Sequence, residues 1–327
     1  MVNIIMPAYN GHNSIRKAIL SVAVQDELDN IKLTIVDDCS DEAYDYLKDE
    51  FGYMNIEILR KKDNTGCGQS RQYGIDHCNS EYFMFLDTDD VLYVPTCVKE
   101  MSACMEKYQL DSLYTSYLEE LAEGNIIIHK SNGIHMHGKM FRTEYIKKNN
   151  IRFNNTRLNE DHAFNIISLL SGGKNMYVDI VTYFWRYNNQ SLTREKEENP
   201  RNNKPFDDYF INAEYTITEL MKRNVESNKI VDISKKYILS FYKYLNVVIK
   251  NDDKSVNEYC MKIKHFISIL PQSVSSKITI EYLLEDFYKD NAFIGIMDED
   301  IEMLITFRDY FNYLIRESLF MSQHGSF

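Results

Sequence analysis

Tyr82-Phe83-Met84-Phe85-Leu86-Asp87-Thr88-Asp89-Asp90 runs five apolar residues straight into an acidic cluster. Such a short, unbroken apolar run predicts a strand buried on both faces, ending where the carboxylates begin. The same grammar recurs upstream. Val2 to Met6 is apolar and stops at Pro7-Ala8-Tyr9-Asn10; Lys32 to Val36 stops at Asp37-Asp38; Ile56 to Leu59 is a third short strand. Between them, Ser14 opens a helical pattern with Ile15, Ile19 and Val22 on one face, and Gly68 to Cys78 reads as a second helix. Downstream, Pro95 suits the first turn of a helix whose apolar positions are Val98, Met101 and Met105. Strand-helix alternation of this kind predicts an α/β fold, a parallel sheet with helices on both faces.

Further along, Leu113–Leu118 and Asn125–His129 read as a hairpin around Glu123-Gly124. Asp161–Leu170 reads as a helix stopped by Gly172-Gly173, and Met176–Trp185 as a strand. The composition then shifts. Residues 194–205 are charged, polar and bracketed by Pro200 and Pro205, which predicts an exposed linker. Beyond it, Ile230, Ile233, Tyr237, Phe241, Tyr244 and Val248 keep helical spacing, as do Val256, Tyr259, Ile263 and Phe266, and again Met303, Phe307, Tyr310, Phe311 and Leu314. The expected organisation is a catalytic domain over 1–193, with nucleotide binding in roughly 1–110 and an acceptor half in 111–193. The linker follows, and then an all-α domain of four or five helices over 206–327.

The 327 residues are 44% hydrophobic and 26% charged, so the chain is globular. Its 37 basic and 49 acidic residues leave a net charge of 37 − 49 = −12. Nucleic acid is therefore disfavoured as a partner, since cationic neutralisation of phosphates supplies most of that affinity. No apolar run approaches the roughly 20 residues that span a bilayer. The N-terminus lacks a basic stretch before its apolar run, unlike a signal peptide. Six cysteines form no C-x-x-C pair, which argues against structural zinc. Cys97 and Cys104 share a helix face and read as small buried hydrophobes. A cytoplasmic location is expected, with peripheral membrane contact allowed.

In an open parallel sheet, ligands bind outside the carboxyl ends of the strands. Converging carboxylates there repel one another unless a cation lies between them. Hard oxygen ligands suit Mg²⁺ or Mn²⁺, which complete their shells with substrate phosphates. Asn64-Thr65-Gly66-Cys67-Gly68-Gln69-Ser70-Arg71 adds a glycine-bearing turn into a helix, where phosphate is welcome, and an arginine one turn in. No Gly-Lys-Ser/Thr follows it, and no G-x-G-x-x-G follows the first strand, so neither a P-loop nor a nicotinamide site is indicated. Asp89 or Asp90 could equally cap the following turn, and Asn159 or Glu160 could be only the cap and first-turn acid of their helix.

Ile5-Met6-Pro7-Ala8-Tyr9-Asn10, Val36-Asp37-Asp38-Cys39-Ser40-Asp41, Asn64 through Arg71, Leu86-Asp87-Thr88-Asp89-Asp90 and Glu160-Asp161-His162, in this order and spacing, resemble an inverting glycosyltransferase of family 2. The resemblance covers residues 2 to 193 and implies the GT-A fold, a Rossmann-like mixed sheet flanked by helices. It implies that Pro7, Ala8 and Tyr9 hold the donor nucleobase, with Asn10 beside them, and that Asp38 accepts a hydrogen bond from the base. Gly66 and Arg71 would hold the nucleotide, Asp87 and Thr88 the ribose or donor sugar, and Asp89 the metal. Asp161 would be the general base, next to Glu160. Lys139, Arg186 and Ser191 are weaker implied contacts to phosphate or sugar. Many relatives take a histidine metal ligand from the loop that closes over the donor; this chain has none there, and His135, His137 or His162 could substitute.

The implied reaction moves one sugar from a nucleotide-sugar, most plausibly a UDP-sugar, onto a hydroxyl of a glycan, a lipid-linked sugar or a polymer. Neither transmembrane helices nor the Gln-x-x-Arg-Trp motif of processive synthases is present, which favours single transfer. A nucleotidyltransferase acting on a sugar phosphate, or a degenerate glycan-binding protein, would share much of this pattern. The helical region offers aromatics such as Tyr237, Phe241, Tyr242 and Tyr244, which would be core or an acceptor surface, and self-association through it is a further possibility.

Overall fold

A computed structural model describes residues 1–131, 133–189, 204–250 and 256–278. The chain divides into two compact units, the first Met1–Asp208 and the second beginning at Tyr209.

The first unit is built on four parallel strands, β1 (Val2–Ala8), β2 (Ile31–Asp37), β3 (Ile56–Arg60) and β4 (Tyr82–Phe85). Every residue of β1 is buried, as its apolar run requires of a strand covered on both faces. The one polar residue in that run, Asn3, accepts a hydrogen bond from the Thr34 hydroxyl at 3.0 Å, so its burial leaves no acceptor stranded. Helices α1 (Ile15–Ala23), α2 (Tyr46–Glu50) and α3 (Cys67–His77) connect these strands. The helix α3 lies close against β1 because Gly74 has no side chain; a Cβ there would come within 2.4 Å of Ile5 Cγ2.

Beyond β4 come a two-residue strand β5 (Val91–Leu92), helix α4 (Cys97–Tyr108), strands β6 (Ser112–Glu120), β7 (Ile126–His129) and β8 (Lys139–Arg142), helices α5 (Thr143–Lys148) and α6 (Glu160–Leu170), and strand β9 (Asn175–Trp185). Among the described residues the sheet order is β3-β2-β1-β4-β8-β6-β9-β5, with β7 paired to β6. β8 runs antiparallel to both β4 and β6, and β6 and β9 run parallel. The sheet is therefore mixed, and β8 couples its two halves. The expected hairpin is present as β6 and β7, with Gly124 at φ +79° supplying the turn. Helix α4 begins two residues later than Pro95, with Thr96 at its N-cap. Cys97 is fully buried on it, Cys104 partly, and all six cysteines are free thiols.

From Lys204 onward the regular elements among the described residues are helices: α7 (Lys204–Lys222), which begins within the first unit, α8 (Ser227–Lys250), α9 (Val256–Ile269) and α10 (Gln272–Ser275). Phe241 is fully buried and stacks on Phe210 at 3.9 Å, with Tyr237 and Phe266 around it. The buried Tyr237 hydroxyl donates to Thr216 Oγ1 at 3.0 Å. These aromatics are core rather than an acceptor surface. The Tyr242 and Tyr244 side chains, the expected helix over 303–314 and most of the expected linker lie outside the described residues.

Candidate active site

The strand-end carboxylates are held by partners that no single motif announces. Asp38 follows β2 and is buried. Its Oδ1 accepts from Lys61 Nζ at 2.6 Å and from the Thr65 amide at 3.1 Å, and its Oδ2 accepts from the Gly66 amide at 2.8 Å. Its neighbour Asp37 accepts from Arg60 Nη1 at 2.7 Å and from the Ser40 amide at 2.8 Å. Asp37-Asp38 and Arg60-Lys61 stand at the ends of paired parallel strands, with Asp37 in register with Arg60. Two acids facing two bases across one register was the signal from which Arg60 and Lys61 could have been found.

Asp38 thus fixes the turn that carries Gly66. That turn is left-handed at Gly66 itself (φ +94°), a conformation glycine adopts without penalty. Two residues on, Gly68 does something different from admitting a ligand. A Cβ on Gly68 would come within 2.3 Å of Glu160 Cγ, so the glycine makes room for the acid that opens α6. One turn further, the buried Arg71 donates from Nη2 to Asp87 Oδ1 at 2.8 Å and Oδ2 at 3.1 Å, while Nη1 pairs with Glu160 Oε1 at 3.6 Å. Burial opposes the charge of this guanidinium, but Asp87, Glu160 and Asp161 outweigh it and hold Arg71 charged. Its Nε meets no hydrogen-bond partner among the described residues. The first turn of α3 therefore gathers Asp38, Asp87 and the Glu160-Asp161 pair around six residues.

Glu160 is buried, and burial, then the Asp161 charge, pushes its carboxyl up to about 8 against the pull of Arg71. Asp161 is partly buried; burial raises it as well, opposed by Arg71 and His135. Its Oδ1 accepts from the His162 amide at 2.8 Å. Lys139, on β8, is buried with its Nζ donating to the His135 carbonyl, and burial lowers it to about 7 despite Asp161. His135, one of the three histidines expected as possible substitute metal ligands, is held below its ordinary value by burial, against the pull of Asp161.

A second convergence lies at the end of β4. Ligand atoms of Asp87, Asp90 and His137 all lie within 4.8 Å of one another. Asp90 is buried, accepting from the Tyr183 hydroxyl at 2.6 Å and the Arg186 amide at 2.8 Å. Burial, then the neighbouring charges of Asp89 and Asp87, hold its carboxyl well above the carboxylate range, with His137 Nε2 3.8 Å from its Oδ2. The His137 ring stacks on Tyr183 at 4.6 Å, and Tyr183 also hydrogen-bonds the Asp87 amide. Two carboxylates and an imidazole fit Mn²⁺ or Mg²⁺. Asp89, the expected ligand, is not in this group; its Oδ2 accepts from Asn188 Nδ2 at 2.8 Å.

The remaining expected residues fall as follows. Pro7 and Ala8 are buried at the end of β1, while Tyr9 is 53% exposed, an open ring at the strand mouth. Asn10 (φ +49°) ties this loop to the next, exchanging hydrogen bonds with Asp41. Thr88 abuts Gly11, where a Cβ would lie 2.9 Å from its Oγ1. Arg186 pairs through Nε with Glu120 at 3.3 Å. Ser191 lies outside the described residues.

Comparison with known proteins bears on the family and the fold. A 93-residue stretch is 37% identical to an uncharacterised glycosyltransferase of Rickettsia felis, covering 28% of this chain and 15% of that protein. Over 221 residues the chain is 26% identical to the glycosyltransferase GlyA of Streptococcus pneumoniae, covering 59% of this chain and 31% of GlyA. The matched segments are thus under a third of these relatives' length. The fold matches that of S. aureus TarS 1–349 in complex with UDP-GlcNAc, with a TM-score of 0.72 at 17% identity over 95% of this chain and 91% of that one. The model for "Glycosyl transferase family 2" matches residues 3–166, half of the chain and the segment that holds every carboxylate described above. The chain belongs to glycosyl transferase family 2.

Proposed function

We propose that this protein transfers one sugar, with inversion, from a UDP-sugar to an acceptor hydroxyl on a glycan, lipid-linked sugar or related polymer. The observation that carries this reading is the first turn of α3, where Gly66, Gly68 and Arg71 join Asp38, Asp87 and Glu160-Asp161 in one site. The neighbour TarS was crystallised with UDP and with UDP-GlcNAc, which supports a uridine diphosphate donor.

In this reading the exposed Tyr9 ring stacks on the base, next to the loop that Asp38 and Lys61 hold. Asp38 acts through that loop as well as at the base, since its oxygens already serve three donors. Asp87, fixed by Arg71, meets the ribose or sugar, with Thr88 at its side. Asp161 takes the proton of the attacking hydroxyl, a general-base contribution of roughly 10²–10⁴ in rate. Its raised affinity for protons suits that task at neutral pH. Arg71 opposes that rise, favouring the ionised form in which Asp161 works as a base. Asp87, Asp90 and His137 would hold Mn²⁺ or Mg²⁺; when bound, the ion supplies charge neutralisation for the departing diphosphate, worth several kcal/mol. Residues 1–193 carry this chemistry, and the helical region from 206 serves acceptor handling or self-association. Six free thiols are in keeping with the reducing cytoplasm.

The test is a panel of nucleotide-sugars with Mn²⁺, followed by thermal shift and then by nucleoside diphosphate release. UDP-sugars should stabilise the protein and release UDP. Stabilisation by nucleoside triphosphates alone, with pyrophosphate released, would overturn the reading.

A further inference from the structure

A cleft of about 270 Å³ lies along α6, on the side of β6 and the start of β9, and the proposed catalysis does not use it. Its walls include Ser131, Asn165, Leu169, Asn175 and Tyr177. Three buried polar atoms of these residues meet no hydrogen-bond partner among the described residues: Ser131 Oγ, Asn165 Oδ1 and Asn175 Oδ1. The hydroxyl of Tyr114, which lines the same cleft, likewise meets none, and four costly unpaired atoms on one cleft call for a common occupant.

The amide orientations are fixed from behind. Asn165, only 1% exposed, spends its Nδ2 on the carbonyls of Ile134 (3.3 Å) and His135 (3.0 Å). Asn175 spends its Nδ2 on the Leu169 carbonyl at 2.9 Å. Two carbonyl acceptors and two hydroxyls are thereby left for a ligand that brings hydroxyl donors. None of the lining residues is charged, which is unsuited to a phosphate or a carboxylate. Apolar surface is at hand as well: Leu169 and Tyr177 are 42% and 41% exposed, and Met176 lines the same cleft. Hydroxyl recognition beside an aromatic and aliphatic wall, without charge, is the chemistry of a neutral sugar, and the volume suits a ligand smaller than a drug-sized one.

The place matters too. Asn165 stands four residues after Asp161, on the same face of α6 one turn away, about 6 Å along the axis. We propose that this cleft binds a neutral saccharide unit of the acceptor, adjacent to the unit whose hydroxyl meets Asp161. The proposal deepens the transferase reading and rests on it for the word acceptor; the binding of a neutral sugar stands independently.

The full chain labelled with [methyl-¹³C]methionine tests this, using methyl α-glucopyranoside and methyl N-acetyl-β-glucosaminide as probes and glucose 6-phosphate as a charged control. The Met176 resonance is assigned by Met176→Leu. Either neutral probe should move it saturably at millimolar concentrations, and the phosphate should bind no more tightly. Ser131→Ala should weaken the response about three- to tenfold, the worth of one hydrogen bond. Leu169→Trp, at an exposed position, should block it. UDP stabilisation should persist in both variants. A silent Met176, an unchanged midpoint in Ser131→Ala, or an undiminished response in Leu169→Trp would overturn the cleft assignment. If UDP stabilises while Met176 is silent, the cleft fails and the donor reading stands. If Met176 responds while UDP does nothing, the donor reading fails and the sugar site stands.

Discussion

Asp161 and Glu160 are consecutive acids held above their ordinary proton affinities, and they make separable predictions. Asp161→Asn should fold, keep UDP stabilisation and lose transfer by roughly 10²–10⁴. The acidic limb of the pH profile of kcat/KM should fall above the ordinary aspartate value of 3.8, because the base must lose its proton to work. A limb at or below that value would remove Asp161 from the role. Glu160 bears on stability instead. Between its unfolded value of 4.5 and about 8, the folded state keeps a proton that the unfolded chain releases. Stability should therefore fall as pH rises through that window. Glu160→Gln should make the decline in Tm shallower; parallel curves for the two proteins would contradict the assignment. Asp161 stood out in the sequence through the family resemblance of Glu160-Asp161-His162 at the start of a patterned helix. His137 and Asp90 were harder, since their meeting depends on β8 and β4 being neighbours in the sheet, which no local spacing records.

At the scale of elements, α3 is fixed by two glycines that are tight for different reasons: Gly74 against Ile5 of β1, Gly68 against Glu160 of α6. Gly68→Ala should cost about 1–3 kcal/mol in urea unfolding, the range for overpacking, and should also weaken UDP binding by shifting Arg71. Gly172→Ala is the contrast. Its φ of +84° makes alanine strained by about 1–2 kcal/mol, yet a Cβ there meets nothing within 4 Å, so UDP binding should hold. Equal loss of nucleotide binding in both would show that α3 is not specially coupled to the site. Short strands were readable where the apolar run is unbroken, as in the four residues of β4 and the Ile126–Ile128 run of β7. β8 has only Met140 and Phe141 between two basic residues and β5 has two residues, so both pass unread until the sheet pairs them.

Across the whole molecule, the net charge of −12 and a mouth rich in carboxylates oppose a diphosphate donor. Cation binding at Asp87, Asp90 and His137 should reverse that field locally. UDP affinity in EDTA should therefore improve as ionic strength rises to about 0.15 M, where the Debye length is about 8 Å. In Mn²⁺ it should not, and His137→Ala should move the Mn²⁺ behaviour toward that in EDTA. Salt responses that match in the two conditions would leave the ion without this role. The α/β fold and the helical region were visible in composition and spacing. The mixed order of the sheet was not, since β8 enters it antiparallel through long-range pairing alone.

The Glu160 side chain occupies the hollow where Gly68 has no Cβ, so the segment that carries α3 and the segment that carries α6 share one joint. Natural homologues with a larger residue at the first position should carry a shorter one at the second. Chimaeras that graft a foreign acceptor segment onto this donor segment should fail unless both members of the pair are transplanted together.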